Sequence, residues 1–174
     1  MITAIIVGIV LIVLIFGLVV LRGAPYVPSH SREVRGAFEK LYPLGSHDFL
    51  VDVGSGDGIV LRLAARRGAR ALGYEINPIL VVVSWLWARG NRLIRTELAD
   101  FWYKELPAET TIVYAFMVSR DANALQEKIQ RESDRLMKPL LVMTYGAPMN
   151  GKKAIKKRRG HHLYEFIPLQ EEKA

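Results

Sequence analysis

The segment VDVGSGDG, at residues 51–58, places alternating glycines behind an acidic residue. Asp52 lies at the end of a short apolar run, and three glycines follow at every second position: Gly54, Gly56 and Gly58. Glycine has no Cβ, so it permits positive φ angles and lets a flat ligand approach the backbone. A second acid, Glu75, stands 17 residues after Gly58. Because a carboxylate accepts two hydroxyl protons at once, the pattern predicts a site for a ligand that carries hydroxyl groups.

The glycine spacing differs from that of a dinucleotide-binding loop. The dinucleotide fingerprint is G-x-G-x-x-G, and its third glycine would fall at Ile59. This chain instead reads D-x-G-x-G-x-G. A tight structural turn is the alternative interpretation of a lone glycine motif. The acid at Glu75 and a third acid, Asp100, favour a ligand site over a turn alone.

Short apolar runs alternate with amphipathic segments from residue 31 onward. Strands are predicted in DFLVDVG, RALGYE, NRLIRTELADFW, TTIVYAFMV, PLLVMTY and HHLYEFIP. Helices are predicted after an N-cap at Ser29 or Ser31, in IVLRLAARRG, from Pro78 through ILVVVSWLWARG, and from Asp121 to Lys138. This alternation predicts an α/β domain with a largely parallel sheet. The glycine loop then lies at the carboxyl ends of the strands, where such sheets bind ligands.

Residues 2–21 carry no charge and no proline, and about 20 such residues span a bilayer as a helix. We therefore predict a transmembrane helix over 1–22, a linker over 23–31 and a domain over 32–174. A cleaved signal peptide is the alternative, but a basic n-region and a small-residue cleavage site are not evident. Arg22 and the later cations predict a single-pass protein of the inner or plasma membrane, with the domain in the cytoplasm. The absence of cysteine agrees with a reducing compartment.

The net charge of +7 is concentrated in one segment. Six cations lie within eight residues: Lys152, Lys153, Lys156, Lys157, Arg158 and Arg159. A solvated loop, contact with anionic lipid and contact with nucleic acid are the alternatives. The apolar segment favours lipid, and we expect no nucleic-acid partner. The adjacent His161 and His162 are predicted to be a solvated pair, and no metal site is indicated.

The D-x-G-x-G-x-G form resembles motif I of class I S-adenosylmethionine-dependent methyltransferases. The resemblance implies a Rossmann-like fold in which Glu75 holds the ribose hydroxyls and Asp52 lies near the positively charged methionine part. It also implies that Asp100 approaches the adenine. The cofactor-binding residues expected on this basis are Asp52, Gly54, Ser55, Gly56, Asp57, Gly58, Glu75, Ile76, Asn77, Asp100 and Phe101.

Four motifs narrow the resemblance: PYVPS, LVDVGSGDG, GYEINP and ADFW, behind an apolar helix. In this order they are similar to the small single-pass lysine methyltransferases that modify the ATP synthase c-subunit and the adenine nucleotide translocase. The resemblance implies methyl transfer to a lysine ε-amine of a protein near the membrane surface. Candidate walls of the acceptor channel are Tyr145, Tyr26 and Trp102. The chain departs from the family pattern at Met117 and at the pair Tyr145-Gly146, in loops that face the acceptor in the family. The resemblance therefore supports the cofactor assignment better than the substrate assignment.

Two other functions remain open from the sequence. One is methylation of a lipid headgroup or small amphiphile delivered from the bilayer. The other is a membrane-tethered module that binds a nucleotide-like ligand without turnover. Cytosine-C5 methylation is excluded, because it requires a cysteine nucleophile and the chain has none.

Overall fold

The structure is a computed structural model and describes residues 1–3, 5–8, 10 and 30–169. Residues 2–3, 5–8 and 10 are helical. Within these described ranges, no helix has the length and apolar character needed to cross a membrane. The predicted span extends to residue 22, so its residues 11–22 lie outside the described part of the chain, as do linker residues 23–29.

Seven strands form one sheet in the order β3-β2-β1-β4-β5-β7-β6. The strands are β1 (Phe49–Val53), β2 (Arg70–Glu75), β3 (Ile94–Leu98), β4 (Ile112–Met117), β5 (Leu140–Gly146), β6 (Lys156–Arg158) and β7 (His161–Phe166). The first five strands pair in parallel, and β7 runs antiparallel to both of its neighbours. The predicted α/β domain with a mostly parallel sheet is therefore confirmed.

Four helices cover the two faces of the sheet. They are α1 (Ser31–Lys40), α2 (Ile59–Ala65), α3 (Pro78–Ala88) and α4 (Ala122–Leu136). The first two close a core over one face, in which Phe38 and Leu61 pack against residues such as Leu50. On the opposite face α4 closes a second core, in which Ile129 packs with residues such as Val113. The sheet is thus buried on both sides, which explains the continuous apolar runs of its central strands.

Two local predictions are wrong. Ser31 is the first residue of α1 rather than its cap, and His30 occupies the N-cap position without a capping side-chain bond. The alternative cap, Ser29, lies outside the described residues. Part of the basic segment is a strand rather than a loop, because Lys156–Arg158 pairs with β7 at the sheet edge. Lysines are well suited to an edge strand, since charge discourages further pairing.

The connection from β3 to β4 contains only a 3₁₀ turn at Phe101–Tyr103 and irregular backbone. An α-helix usually fills this position in a doubly wound sheet. The short connection leaves the carboxyl end of β3 lined by the turn alone.

Candidate functional site

The glycine loop follows β1 directly and turns on left-handed backbone. The φ angles are 75° at Gly54, 56° at Gly56 and 77° at Gly58, values that glycine adopts without steric cost. The N–H groups of Gly54 and Ser55 donate to the carbonyl oxygen of Tyr74 at 2.9 and 3.0 Å. A Cβ built on Gly54 has no atom within 4 Å. The loop is therefore fixed to β2 from behind and open in front of Gly54.

Glu75 ends β2 and joins the glycine loop to the start of α3. Its buried carboxylate accepts from the N–H of Gly56 at Oε2 and from the N–H of Asn77 at Oε1, both at 2.8 Å. Each carboxylate oxygen keeps a further lone pair. Glu75 therefore stabilises the loop and retains acceptor capacity for a ligand.

Asp52 is a buried acid without a partner in the described part of the chain. It is 3% exposed, and its carboxylate makes no hydrogen bond to another described residue. In the sheet it lies between Gly73 of β2 and Tyr114 of β4. Burial raises its pKa well above the usual range, and the negative charges of Glu75 and Asp57 raise it further. A cation bound beside Asp52 would offset the cost of this unpaired carboxylate.

The side chain of Ser55 occupies space that Gly73 leaves free. A Cβ at Gly73 would lie 2.5 Å from the Ser55 Cβ and 2.8 Å from Cδ1 of Leu61, distances that real Cβ atoms do not show. The Ser55 hydroxyl is buried and unpartnered among the described residues. Ser55 and Asp52 thus supply polar groups that the described residues leave unsatisfied, as a ligand site requires.

Three predicted cofactor residues have local structural partners. Asp57 accepts from the N–H of Ile59 at 3.0 Å and helps to begin α2. Asn77 is the N-cap of α3 and accepts from the N–H of Ile79 at 3.0 Å, while its buried Nδ2 has no partner among the described residues. Ile76 lies half-buried between Glu75 and Asn77. Their contact with a ligand stays a prediction.

The predicted residues after β3 separate onto different surfaces. The Asp100 carboxylate accepts from the N–H of Trp102 at 3.0 Å and caps the 3₁₀ turn. Phe101 is buried in the core closed by α4, with its ring centroid 6.4 Å from that of Tyr74. Trp102 is exposed and meets Phe101 edge to face at 5.5 Å. The roles of these residues toward a cofactor stay predictions.

An aromatic wall stands on the other side of the glycine loop. It consists of Phe116 on β4, Tyr145 on β5 and His161 on β7, which are register neighbours. Tyr145 stacks on His161 with centroids 4.5 Å apart and meets Phe116 at 6.0 Å. Phe116 and Tyr145 are half-buried, so the wall is accessible from outside.

The two channel candidates within the described residues do not come together. Tyr145 lies on β5, whereas Trp102 follows β3, and these strands are four positions apart in the sheet. At about 4.8 Å per strand the separation is roughly 19 Å, with β1 and its loop between them. Tyr26 lies outside the described residues. Of the two described candidates, Tyr145 belongs to the aromatic wall and Trp102 does not.

His161 is not the solvated residue that was predicted. It is 1% exposed, its Nε2 lies 3.0 Å from the Tyr114 hydroxyl, and burial lowers its pKa to about 4. The neighbouring basic residues suggested an exposed segment, but side chains alternate along a strand. His161 shares a face with the buried Leu163 and with Tyr145 of the neighbouring strand β5, and this pairing buries it.

The carboxyl edge of the sheet therefore has two chemical halves on one face. The acids Asp52 and Glu75 lie on β1 and β2, and the aromatic wall lies on β4, β5 and β7. The glycine loop separates them. This arrangement suits a cationic ligand over the acids and an apolar acceptor channel beside it.

Known proteins that resemble this chain were found by sequence. No protein-family model matches. The ATP synthase c-subunit lysine N-methyltransferase of Xenopus laevis is 33% identical over 111 residues, which are 62% of this chain and 48% of the relative. The Homo sapiens enzyme of that name is 34% identical over 112 residues, which are 62% of this chain and 46% of the relative. Adenine nucleotide translocase lysine N-methyltransferase of Mus musculus is 33% identical over 112 residues, or 62% and 48%.

These relatives confirm the resemblance that the motifs suggested. The chain spans about half the length of the curated relatives it matches.

Solved structures establish the fold as that of Rossmann-like methyltransferases. An RNA methyltransferase from Salinibacter ruber with S-adenosyl-L-homocysteine superposes with a TM-score of 0.72 at 24% identity, covering 85% of this chain and 98% of that one. The 23S rRNA methyltransferase ErmE superposes with a TM-score of 0.55 at 20% identity, covering 69% of this chain and 48% of that one. A geranyl diphosphate methyltransferase with SAM gives 0.52 at 19%, covering 66% and 48%. The acceptors named for these proteins differ, so the fold does not select an acceptor.

Proposed function

We propose that this protein transfers a methyl group from S-adenosylmethionine to the ε-amine of a protein lysine. The observation that carries the proposal is the buried, unpartnered carboxylate of Asp52 beside a glycine loop that is open in front of Gly54. The lysine methyltransferase relatives support the reaction class, and the fold supports the cofactor.

The residues at the acidic half of the site fit the cofactor. When bound, S-adenosylmethionine supplies a methyl group on a positively charged sulfur. The Asp52 carboxylate would lie near the cationic part, and the free lone pairs of Glu75 would accept the ribose hydroxyls. Gly54 leaves room for the ligand against the backbone. Asp57, Ile76, Asn77 and Asp100 surround these groups along the chain and complete the proposed site.

The aromatic wall would prepare the acceptor lysine. A lysine ammonium with a pKa near 10.4 must lose a proton before it attacks, which costs about 4 to 5 kcal/mol at pH 7. Burial against Phe116 and Tyr145 lowers that pKa, because an apolar surface disfavours the charged form. His161 is uncharged at neutral pH, since its own pKa is about 4. The remaining task is to hold the amine in line with the methyl group and to exclude water.

The sequence supports a membrane location for this reaction. Residues 2–21 are long and apolar enough to serve as the proposed single-pass anchor, with the domain on the cytoplasmic side. A short linker would keep the site close to the bilayer. A protein substrate confined to the same membrane gains local concentration from that confinement.

The test is label transfer in isolated membranes. The purified full chain is incubated with membranes and S-adenosylmethionine labelled in the methyl group, and the products are separated into protein, lipid and RNA. We expect label on lysine in a protein band, identified by mass spectrometry. Asp52→Asn and Glu75→Gln should each abolish it. The matched control is Glu109→Gln, since Glu109 is exposed and pairs only weakly with Arg70 at 3.9 Å.

Other outcomes separate the alternatives. Label that extracts into the lipid fraction would replace lysine by a lipid headgroup as the acceptor. Label in RNA would contradict the absence of a nucleic-acid partner. Binding of S-adenosylmethionine without transfer to any fraction would identify a binding module without turnover.

A further inference from the structure

Helix α3 exposes an apolar surface on the side that faces away from the sheet. Val82, Trp85 and Leu86 stand at positions i, i+3 and i+4 and are 48%, 57% and 66% exposed. Trp87 next to them is also exposed and lies under the guanidinium of Arg62 at 4.9 Å. The inner side of the helix already buries Leu80 and Val81. A surface helix of a soluble domain is normally polar on its outer side, whereas the outer side of α3 is apolar.

The apolar surface continues onto the edge strand β3. The indole Nε1 of Trp85 donates to the carbonyl oxygen of Thr96 at 3.0 Å and fixes the ring against the strand. Leu98 lies two residues further along the same face of β3 and is 59% exposed. β3 is the outermost strand on this side of the sheet. Val82, Trp85, Leu86, Trp87 and Leu98 together form what we call the α3 surface.

Helix α3 and the turn that follows it carry cations and no acid. Residues 76–96 contain no acid, and they carry three exposed cations: Arg89, Arg92 and Arg95. Arg95 pairs with Glu97 at 2.8 Å. Arg89 and Arg92 form no ion pair with any described residue. The surface is thus apolar at its centre and cationic at its end.

We propose that the α3 surface docks onto an anionic lipid bilayer, with α3 lying in the plane of the interface. Tryptophan and leucine side chains partition into the boundary between headgroups and acyl chains, and arginines beside them attract anionic headgroups. A second copy of this chain fits less well, because a symmetric contact would bring the like charges of Arg89 and Arg92 from two copies together.

Docking through α3 would also fix the height of the ligand site. The helix begins at Pro78, three residues after Glu75, and Asn77 between them is tied to the Glu75 carboxylate. A rigid helix in the interface therefore places the glycine loop at one defined distance from the lipid. This inference goes beyond methyl transfer and does not depend on it, because a binding module with this surface would dock in the same way.

The absence of cysteine allows a direct test on the full chain by spin labelling. Leu86→Cys carries a nitroxide on the α3 surface. Met137→Cys is the matched control, since Met137 is 80% exposed at the end of α4 on the opposite face of the sheet. The protein is reconstituted into vesicles of phosphatidylcholine and phosphatidylserine. Power saturation then measures collision of each label with oxygen, which concentrates in the bilayer, and with a nickel chelate, which stays in water.

We expect the label at position 86 to collide mainly with oxygen and the label at position 137 mainly with nickel. Vesicles of phosphatidylcholine alone, or the added pair Arg89→Gln and Arg92→Gln, should raise the nickel collision rate at position 86 several-fold. If Leu86→Cys does not fold, Val82→Cys serves as the second reporter.

Three outcomes would overturn the proposal. The first is equal nickel access at positions 86 and 137 in the anionic vesicles. The second is dipolar broadening at position 86 that disappears on dilution with unlabelled chain, which would identify a second copy as the occupant. The third is protection from both oxygen and nickel, which would show that a segment of this chain covers the surface.

Discussion

Replacement of Glu75 by glutamine tests the site at the residue that connects its parts. The substitution keeps the size of the side chain and removes the charge. One amide oxygen can still accept from Gly56 or Asn77, but the amide nitrogen is a donor and would face the other N–H group. One buried N–H therefore loses its acceptor, and the remaining hydrogen bond loses its charge assistance.

The expected loss follows from these two bonds, both at 2.8 Å in the parent protein. A buried donor without a partner costs about 1 to 3 kcal/mol, and loss of charge assistance about 1 kcal/mol more. The free energy of unfolding should thus fall by about 2 to 4 kcal/mol without ligand. For a domain of this size the melting temperature should fall by roughly 5 to 15 °C. Affinity for S-adenosylmethionine should fall about 10- to 150-fold, since a charge-assisted bond contributes about 1.5 to 3 kcal/mol.

The assay is thermal unfolding of the full chain in detergent, followed by tryptophan fluorescence, together with calorimetric titration of S-adenosylmethionine. The matched control is Glu97→Gln. Glu97 is also a glutamate at the end of a strand, but its partners are the exposed Arg95 and Lys104 at 2.8 and 3.9 Å. Such exposed pairs contribute about 1 kcal/mol or less.

A melting temperature of Glu75→Gln equal to that of Glu97→Gln would refute the structural part of the reasoning. Unchanged affinity for S-adenosylmethionine in a destabilised Glu75→Gln protein would refute the ligand part alone. The two measurements therefore separate the role of Glu75 in the loop from its role toward the ribose.

Three further predictions concern the buried polar groups and the space beside Gly73. Because the pKa of Asp52 is raised, the native protein above about pH 4 keeps a proton that the unfolded chain has released, and the free energy of unfolding falls as pH rises. Asp52→Asn should remove this decline and raise the urea midpoint at pH 7 without ligand. The same variant should bind S-adenosylmethionine more weakly. An unchanged midpoint would contradict this. Burial lowers the pKa of His161 from 6.5 to about 4, so the unfolded chain binds the proton first as pH falls. The free energy of unfolding should therefore fall by up to about 3 kcal/mol between pH 6.5 and about pH 4. His161→Gln should flatten the profile of urea midpoint against pH, and a parental slope would count against it. Gly73→Ala should lower the free energy of unfolding by about 1 to 3 kcal/mol, because the new methyl group overpacks against Ser55. Adding Ser55→Gly to this variant should recover part of the loss. Strictly additive losses in the double variant would show that the side chains at positions 55 and 73 do not compete for space.

The glycine loop and the strands around it were predictable because their pattern is local. Continuous apolar runs indicate strands buried on both faces, and β1 and β2 are such strands. The three alternate glycines adopt left-handed backbone, which few other residues tolerate. Glu75 ends β2 beside the loop because adjacent parallel strands bring their carboxyl ends to one edge.

The rest depended on contacts between distant segments. β6 forms only because Lys156 to Arg158 meet β7, and a run of cations carries no strand pattern of its own. His161 is buried because β7 lies beside β5, which adjacency in sequence does not indicate. The sequence predicted helix α3 but not its exposed apolar side, because that exposure depends on its position beside the outermost strand. Secondary-structure propensity can be read from one segment, whereas the burial of that segment depends on which other segments lie beside it in the fold.

The position of β7 between β5 and β6 has a consequence for synthesis of the protein. Translation releases the parallel strands first, and β5 keeps an open edge until β7 leaves the ribosome. Tyr164 and Phe166 of β7 are each 1% exposed, so the core beneath α4 stays incomplete for the same period. The nascent domain thus presents an unpaired strand and apolar side chains, the features that recruit chaperones and promote aggregation. Completion of the sheet and of this core therefore waits for residue 166.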